Sequence, residues 1–147
     1  MLEGVGNLWT YPADARVITT NGFVKKNGEA VMGRGCAREA ALKWPELPKY
    51  LGQAIKIYGN HVFAFDRGIK GEVPIITMPV KHNWWESADP KLIKRSAEEL
   101  QFEIHEWKFN SVVMPRPGCG NGQLKWEQVK FLLNTILDDR FVVITWA

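Results

Sequence analysis

The sequence predicts an α/β sandwich built on a largely parallel central sheet. Through the middle and end of the chain, short β-branched or apolar runs alternate with stretches of helical periodicity. That alternation is the mark of strands joined by crossover helices. Three segments follow strands at one edge of such a sheet: Asn21 to Gly35, Lys81 to Ala88 and Gly118 to Gly122. They also carry the chain's least ordinary residues, and in an open parallel sheet ligands bind at the carboxyl ends of the strands.

Val5 to Trp9 reads as a first short strand, closed by the turn residues Tyr11-Pro12-Ala13-Asp14. Val17 to Thr20 is a second, β-branched and suited to burial. A helix follows Gly35, with Ala37, Ala40, Ala41 and Trp44 on one face, and it stops near Trp44 because Pro45 disfavours helix in the residue before it. Pro48 to Tyr58 forms another helix, apolar at Leu51, Ala54, Ile55 and Tyr58 and ended by Gly59. His61 to Phe65 is a short strand. Val73 to Val80, after the charged turn Asp66 to Glu72, is too uniformly apolar for a half-exposed one. The strongest helix signal comes next: Asp89 as N-cap, Pro90 in the first turn, then Ile93, Ala97, Leu100, Ile104 and Trp107 at spacings of four and three. Ser111 to Met114 is a buried strand. Trp126, Val129, Leu132, Leu133 and Ile136 mark a last helix, and Phe141 to Trp146 a closing strand.

The 147 residues form one domain, 1–147, with a core several layers deep. A content of 46% apolar and 24% charged residues is that of a globular protein rather than a disordered one. There is no run of membrane-spanning length and no signal-peptide pattern at the start, so a cytoplasmic protein that does not engage a membrane is expected. The two cysteines, Cys36 and Cys119, lie in glycine-rich loops and read as reduced thiols. His61, His82 and His105 are scattered, without zinc spacing, and no metal is expected. A net charge of +3 suits an anionic ligand but supplies no block of like charge for a dedicated DNA-binding arm.

Strand, glycine loop and helix start are the parts of a phosphate site, since glycines let backbone N–H groups approach the anion and the helix dipole favours it. The first loop fits neither standard version. Gly28 to Gly33 has Walker A glycine spacing, but Arg34-Gly35 stand where Lys and Ser or Thr are needed. Gly33 and Gly35 begin a dinucleotide fingerprint whose third glycine position is Arg38. The plain alternative is a strand-to-helix turn with no ligand. A phosphate-bearing ligand held in another way is the better reading.

The two loops together resemble those of the macro domain family, and the resemblance covers nearly the whole chain. Thr19-Thr20-Asn21-Gly22, continuing to Asn27-Gly28-Glu29-Ala30-Val31-Met32-Gly33-Arg34-Gly35, is similar to the segment that binds the distal ribose and one phosphate of ADP-ribose. Pro115-Arg116-Pro117-Gly118-Cys119-Gly120-Asn121-Gly122-Gln123-Leu124-Lys125-Trp126 resembles the second phosphate loop and its helix. Gly6-Asn7-Leu8-Trp9 falls where the family places residues near adenine. The Gly-Cys-Gly…Leu-x-Trp loop and Pro79-Val80-Lys81 are closest to the branch of terminal ADP-ribose glycohydrolase and the antitoxin macro domains that remove ADP-ribose from DNA. The resemblance implies a three-layer α/β/α sandwich with a mixed, largely parallel sheet. It also implies ligand contacts from Asn7, Leu8, Thr20, Asn21, Ala30, Val31, Met32, Gly33, Gly35, Gly118, Cys119, Gly120, Asn121 and Gly122, with Lys81 and Asn21 in catalytic positions. Two departures stand out. Asn7 replaces a common Asp, although an amide oxygen still accepts from an adenine amino group. Gly122 replaces an Asp of the terminal glycohydrolase, which brings this loop nearer the antitoxin branch.

A lysine at a strand end is ordinarily a solvated terminus. Catalysis by Lys81 would need a neutral amine, which burial or neighbouring cations favour. His82 is the next acid–base candidate, although adjacent residues on an extended segment point apart, so an exposed surface histidine is the stronger reading. Trp84 and Trp85 lie in a polar stretch, and one could stack on a nucleobase or pack beneath the loop. Arg116, between two prolines, could anchor the loop or touch substrate. These readings make a cofactor-free, monomeric hydrolase the first expectation, releasing ADP-ribosyl groups from a macromolecule, nucleic acid ahead of protein. An ADP-ribose 1″-phosphate phosphatase and a non-catalytic ADP-ribose module are the alternatives.

Overall fold

The computed structural model describes residues 1–146. Its strands are β1 (Leu2–Val5), β2 (Ala15–Asn21), β3 (Phe63–Phe65), β4 (Ile75–Lys81), β5 (Val112–Pro115) and β6 (Phe141–Thr145). The helices are α1 (Gly35–Lys43), α2 (Leu47–Tyr58), α3 (Pro90–Trp107) and α4 (Trp126–Asn134). The strands form one sheet in the order β1-β6-β5-β2-β4-β3. Every neighbouring pair is parallel except β3 with β4, so the sheet is mixed and largely parallel, as expected.

Alternation along the central strands divides the core into two halves. Ile76, Met78 and Val80 of β4 pack with Ile93, Ala97, Leu100 and Ile104 of α3 and with Val129 and Leu133 of α4. On the other face Ile18 and Ile75 meet Ala37 and Ala40 of α1, Trp44, and Leu47 and Leu51 of α2. The result is the three-layer α/β/α sandwich. Each fully buried aliphatic side chain contributes about 1.5–3 kcal/mol relative to exposure. At the start of α3, Asp89 Oδ1 accepts from the Lys91 amide at 2.9 Å, as its sequence position predicts. Ser96 of α3 donates to the Pro79 carbonyl at 2.7 Å, tying the helix to β4 near its carboxyl end.

Two elements differ from the sequence reading. The first strand is Leu2–Val5, not Val5 to Trp9. Residues 7–11 instead form a turn in which Asn7 Oδ1 accepts from the Trp9 amide at 2.8 Å and the Asn7 carbonyl from Tyr11 at 2.9 Å. The last helix ends at Asn134, where Thr135 Oγ1 bonds back to the Leu132 carbonyl at 2.8 Å. A third feature bears on the site. The β2–β4 register runs evenly up to Thr20 beside Pro79, then slips, so that Asn21 stands beside Lys81 and Val80 is passed over. The slip falls at Pro79, which has no N–H to give to a ladder.

Candidate functional site

A cleft of about 370 Å³ runs along the carboxyl edge of the sheet, from the ends of β1 and β6, past β5 and β2, to the end of β4. Asn21 closes its first loop: Oδ1 accepts from the Phe23 amide at 3.0 Å and Nδ2 donates to the Val31 carbonyl at 3.1 Å. One N–H of that amide group remains for a ligand. From behind, α2 supports the loop. The Ala30 amide donates to the Pro48 carbonyl at 2.9 Å, and Gly52 lets the Gly28 carbonyl approach so closely that a Cβ there would collide with it. Cys36, in the first turn of α1, takes the Thr19 amide on its sulfur at 3.4 Å, joining α1 to β2.

The second loop is held by its own backbone. Leu124 N donates to Gly118 O at 2.9 Å, and Ala88 N to Gly122 O at 3.0 Å, which links the loop to the segment before α3. Gly122 sits so near Gly118 that a Cβ would lie 2.5 Å from the Gly118 carbonyl oxygen, whereas Gly120 faces open space. Lys81 spans the gap: half-buried at the end of β4, it donates from Nζ to the Asn121 carbonyl at 3.2 Å. Its own carbonyl accepts from Asn60 Nδ2 at 3.1 Å, which fixes the strand end.

The rim is aromatic and basic. Trp84, 50% exposed, lines the cleft beside Lys81. Trp85, 58% exposed, meets Trp84 edge to face and packs likewise on Phe23, with ring centroids 5.5 Å apart in both pairs. At the opposite end Trp146 is 62% exposed. Arg34 and Arg116 also line the cleft. The Arg116 guanidinium lies 4.8 Å from the centre of the Trp126 ring, whose Nε1 donates to Glu3 at 3.0 Å. The hydrogen bond from Lys130 holds the Glu3 carboxyl below the usual carboxylate range.

Most of the expected contact residues converge here: Leu8, Thr20, Asn21, Val31, Gly33, Gly35, Lys81, Gly118, Gly120, Asn121 and Gly122 all line the cleft. Asn7, Ala30, Met32 and Cys119 do not. Asn7 spends its side-chain oxygen on the Trp9 amide, and Ala30 and Met32 are buried with α1 and α2. Cys119 packs toward the α3–α4 core, where burial pushes its thiol pKa up and leaves it a poor nucleophile. His82, too, lies outside the cleft, with Nε2 2.8 Å from Asp89 Oδ2 at the cap of α3. The sequence reading passed over Glu39, which lines the cleft from α1. No local pattern marks it: Cys36, three residues earlier on the same helical face, itself reads as a plain loop thiol.

Among the described residues, no three His, Cys, Asp or Glu side chains converge as metal ligands, and no helix is long and apolar enough to cross a membrane. No protein-family model matches the chain. The DNA ADP-ribosyl glycohydrolase of Thermus aquaticus is 27% identical over 146 residues, covering 97% of this chain and 39% of that protein. The Mycobacterium tuberculosis protein of the same name is 30% identical over 131 residues, 86% of this chain and 36% of its own length. This chain thus spans less than half of either relative. Among solved structures, the macrodomain of Thermus aquaticus DarG is 28% identical with a TM-score of 0.83, covering 100% of this chain and 98% of that one.

Proposed function

The chain belongs to the macro domains, and from that premise we propose that its cleft binds ADP-ribose and that Lys81 releases ADP-ribosyl groups from modified nucleic acid. The observation that carries the proposal is the position of Lys81. Its amine is within hydrogen-bond reach of the second glycine loop, and its backbone is in register with Asn21, where the first loop begins. Backbone N–H groups from Gly33 to Gly35 and from Gly118 to Gly122 would hold the diphosphate, with Arg34 and Arg116 supplying positive charge. The free N–H of Asn21 would reach the distal ribose.

In this reading the Lys81 amine attacks the anomeric carbon of the distal ribose. The N–C bond forms as the bond to the conjugated base breaks, and the base leaves with the electron pair and takes up a proton. Opening of the sugar ring turns the adduct into a protonated Schiff base. Water then adds to the same carbon and expels the lysine amine, leaving free ADP-ribose. Two features favour a nucleobase as the leaving group. Trp84 offers an exposed ring beside Lys81 on which a planar base can stack. The curated relatives carry the name DNA ADP-ribosyl glycohydrolase. The phosphatase alternative gains nothing from His82, which is engaged by Asp89 outside the cleft. Because one chain supplies the whole cleft, we take the working unit to be a monomer, acting in the cytoplasm.

Parallel incubation with ADP-ribosylated DNA, ADP-ribosylated protein and ADP-ribose 1″-phosphate tests the proposal. Release of ADP-ribose from the DNA ahead of the other two is expected. Phosphate release from ADP-ribose 1″-phosphate, with the modified DNA untouched, would overturn it.

A further inference from the structure

The direction of the cleft fixes which end must receive the nucleobase. Lys81 closes it at β4, while Leu8, Ile144, Thr145 and Trp146 form the end at β1 and β6. From β4 through β2 and β5 to β6 is three strand spacings, about 14 Å. If the distal ribose reacts at Lys81 and the diphosphate lies between the glycine loops, the adenine lies against Leu8 and Ile144 under the Trp146 rim. This assignment rests on the ADP-ribose reading given above. Adenine presents an exocyclic amine, a donor, and a site selective for adenine needs an acceptor facing it.

Asn7 does not line the cleft, and its side-chain oxygen faces its own turn, where it accepts from the Trp9 amide. Glu39 is the one carboxylate side chain among the described residues that line the cleft. It takes no part in any ion pair among those residues. Its place on α1 puts it at the nucleobase end. Lys43, one helical turn further on and on the same face, has its ammonium 5.2 Å from the centre of the Trp9 ring. The neighbouring Ala37 and Ala40 pack in the cluster that holds Leu8. α1 thus packs in the same half of the core as Leu8 and reaches Trp9 through Lys43, and Glu39 lines the cleft from that helix.

We propose that Glu39 determines nucleobase specificity by accepting a hydrogen bond from the 6-amino group of adenine. It is half-buried, so the carboxylate is partly shielded from competing water and the bond is charge-assisted.

The test compares calorimetric Kd values for ADP-ribose and for its analogue with hydrogen in place of the 6-amino group. The parent protein is expected to favour ADP-ribose by about tenfold or more, the worth of a charge-assisted hydrogen bond. Glu39→Ala should bring the ratio near one by weakening ADP-ribose alone. Glu39→Gln, whose amide oxygen still accepts without charge, should fall between. A Glu39→Ala ratio equal to that of the parent protein would overturn the assignment while leaving the ADP-ribose site intact. Failure of the parent protein to bind either ligand would overturn both.

Discussion

At the scale of single residues, the proposed function separates chemistry from binding. Lys81 touches the second loop through one hydrogen bond, whose loss costs about 1 kcal/mol or less. Lys81→Ala should therefore abolish ADP-ribose release while leaving ADP-ribose affinity within a few-fold, as single-turnover assays and calorimetry would report. Lys81→Arg should be equally inactive, because guanidinium stays protonated and cannot attack. Borohydride should trap the Schiff base as added mass on Lys81, and release that survived Lys81→Ala would move the chemistry to Asn21 and water. A second residue-scale effect depends on pH. The hydrogen bond from His82 holds the Asp89 carboxyl below the usual carboxylate range. A carboxylate with a depressed native pKa binds fewer protons folded than unfolded. Its stabilisation is therefore full above about pH 4 and is lost as the pH falls through the native value. Asn caps helices as well as Asp does, so Asp89→Asn isolates the charge. The expected result is a loss of under about 1 kcal/mol of stability near neutrality, read as a lower melting temperature, with the gap closing as the pH falls through the native Asp89 value. A gap that persisted at a pH low enough to protonate Asp89 in the folded protein would contradict the pairing.

At the scale of elements, the helices serve as backing for loops that have little packing of their own. Gly52 on α2 is the sharpest case. Replacing a helical glycine by alanine ordinarily stabilises by about 0.4–1 kcal/mol, but here the added methyl meets the Gly28 carbonyl. Gly52→Ala should instead lower the melting temperature and weaken ADP-ribose binding by displacing the first loop. An unchanged affinity in the folded variant would show that α2 does not position it. Such supports were only partly legible in the sequence. α3 could be read closely because Asp89, Pro90 and the 3–4 spacing from Ile93 to Trp107 all agree. Gly35 and the Gly118–Gly122 loop were legible because their chemistry is local. β1 was misread because Leu2-Glu3-Gly4-Val5 has weak strand character of its own and owes its form to pairing with β6, while Leu8 and Trp9, though apolar, belong to a turn. Residues whose role depends on which way a helix leans, Glu39 above all, carry no such local mark.

At the scale of the whole molecule, the cleft is assembled from the ends of five strands that lie far apart in the chain. A ligand filling it therefore joins both ends of the sheet. ADP-ribose at about 100 times its Kd adds about 2.7 kcal/mol to folding stability. That should raise the melting temperature by roughly 5–11 °C for a domain of this size. AMP, which cannot reach Lys81 or span both loops, should raise it far less at the same concentration; equal shifts would mean that only one end is used. The sheet that receives this ligand is also out of phase with itself. On an unbroken ladder, strands keep odd–even parity, and Asn21 would stand beside Val80, whose side chain belongs to the α3 core. One skipped residue at Pro79 changes the parity at the last rung and sets Asn21 and Lys81 level across the two strands. Deleting Val80 would restore the count but carry the lysine into the place of a buried valine. The pairing of Asn21 with Lys81 is thus a product of the irregularity: it lets the strand keep Val80 in the α3 core and still set the next residue, a lysine, level with the end of β2.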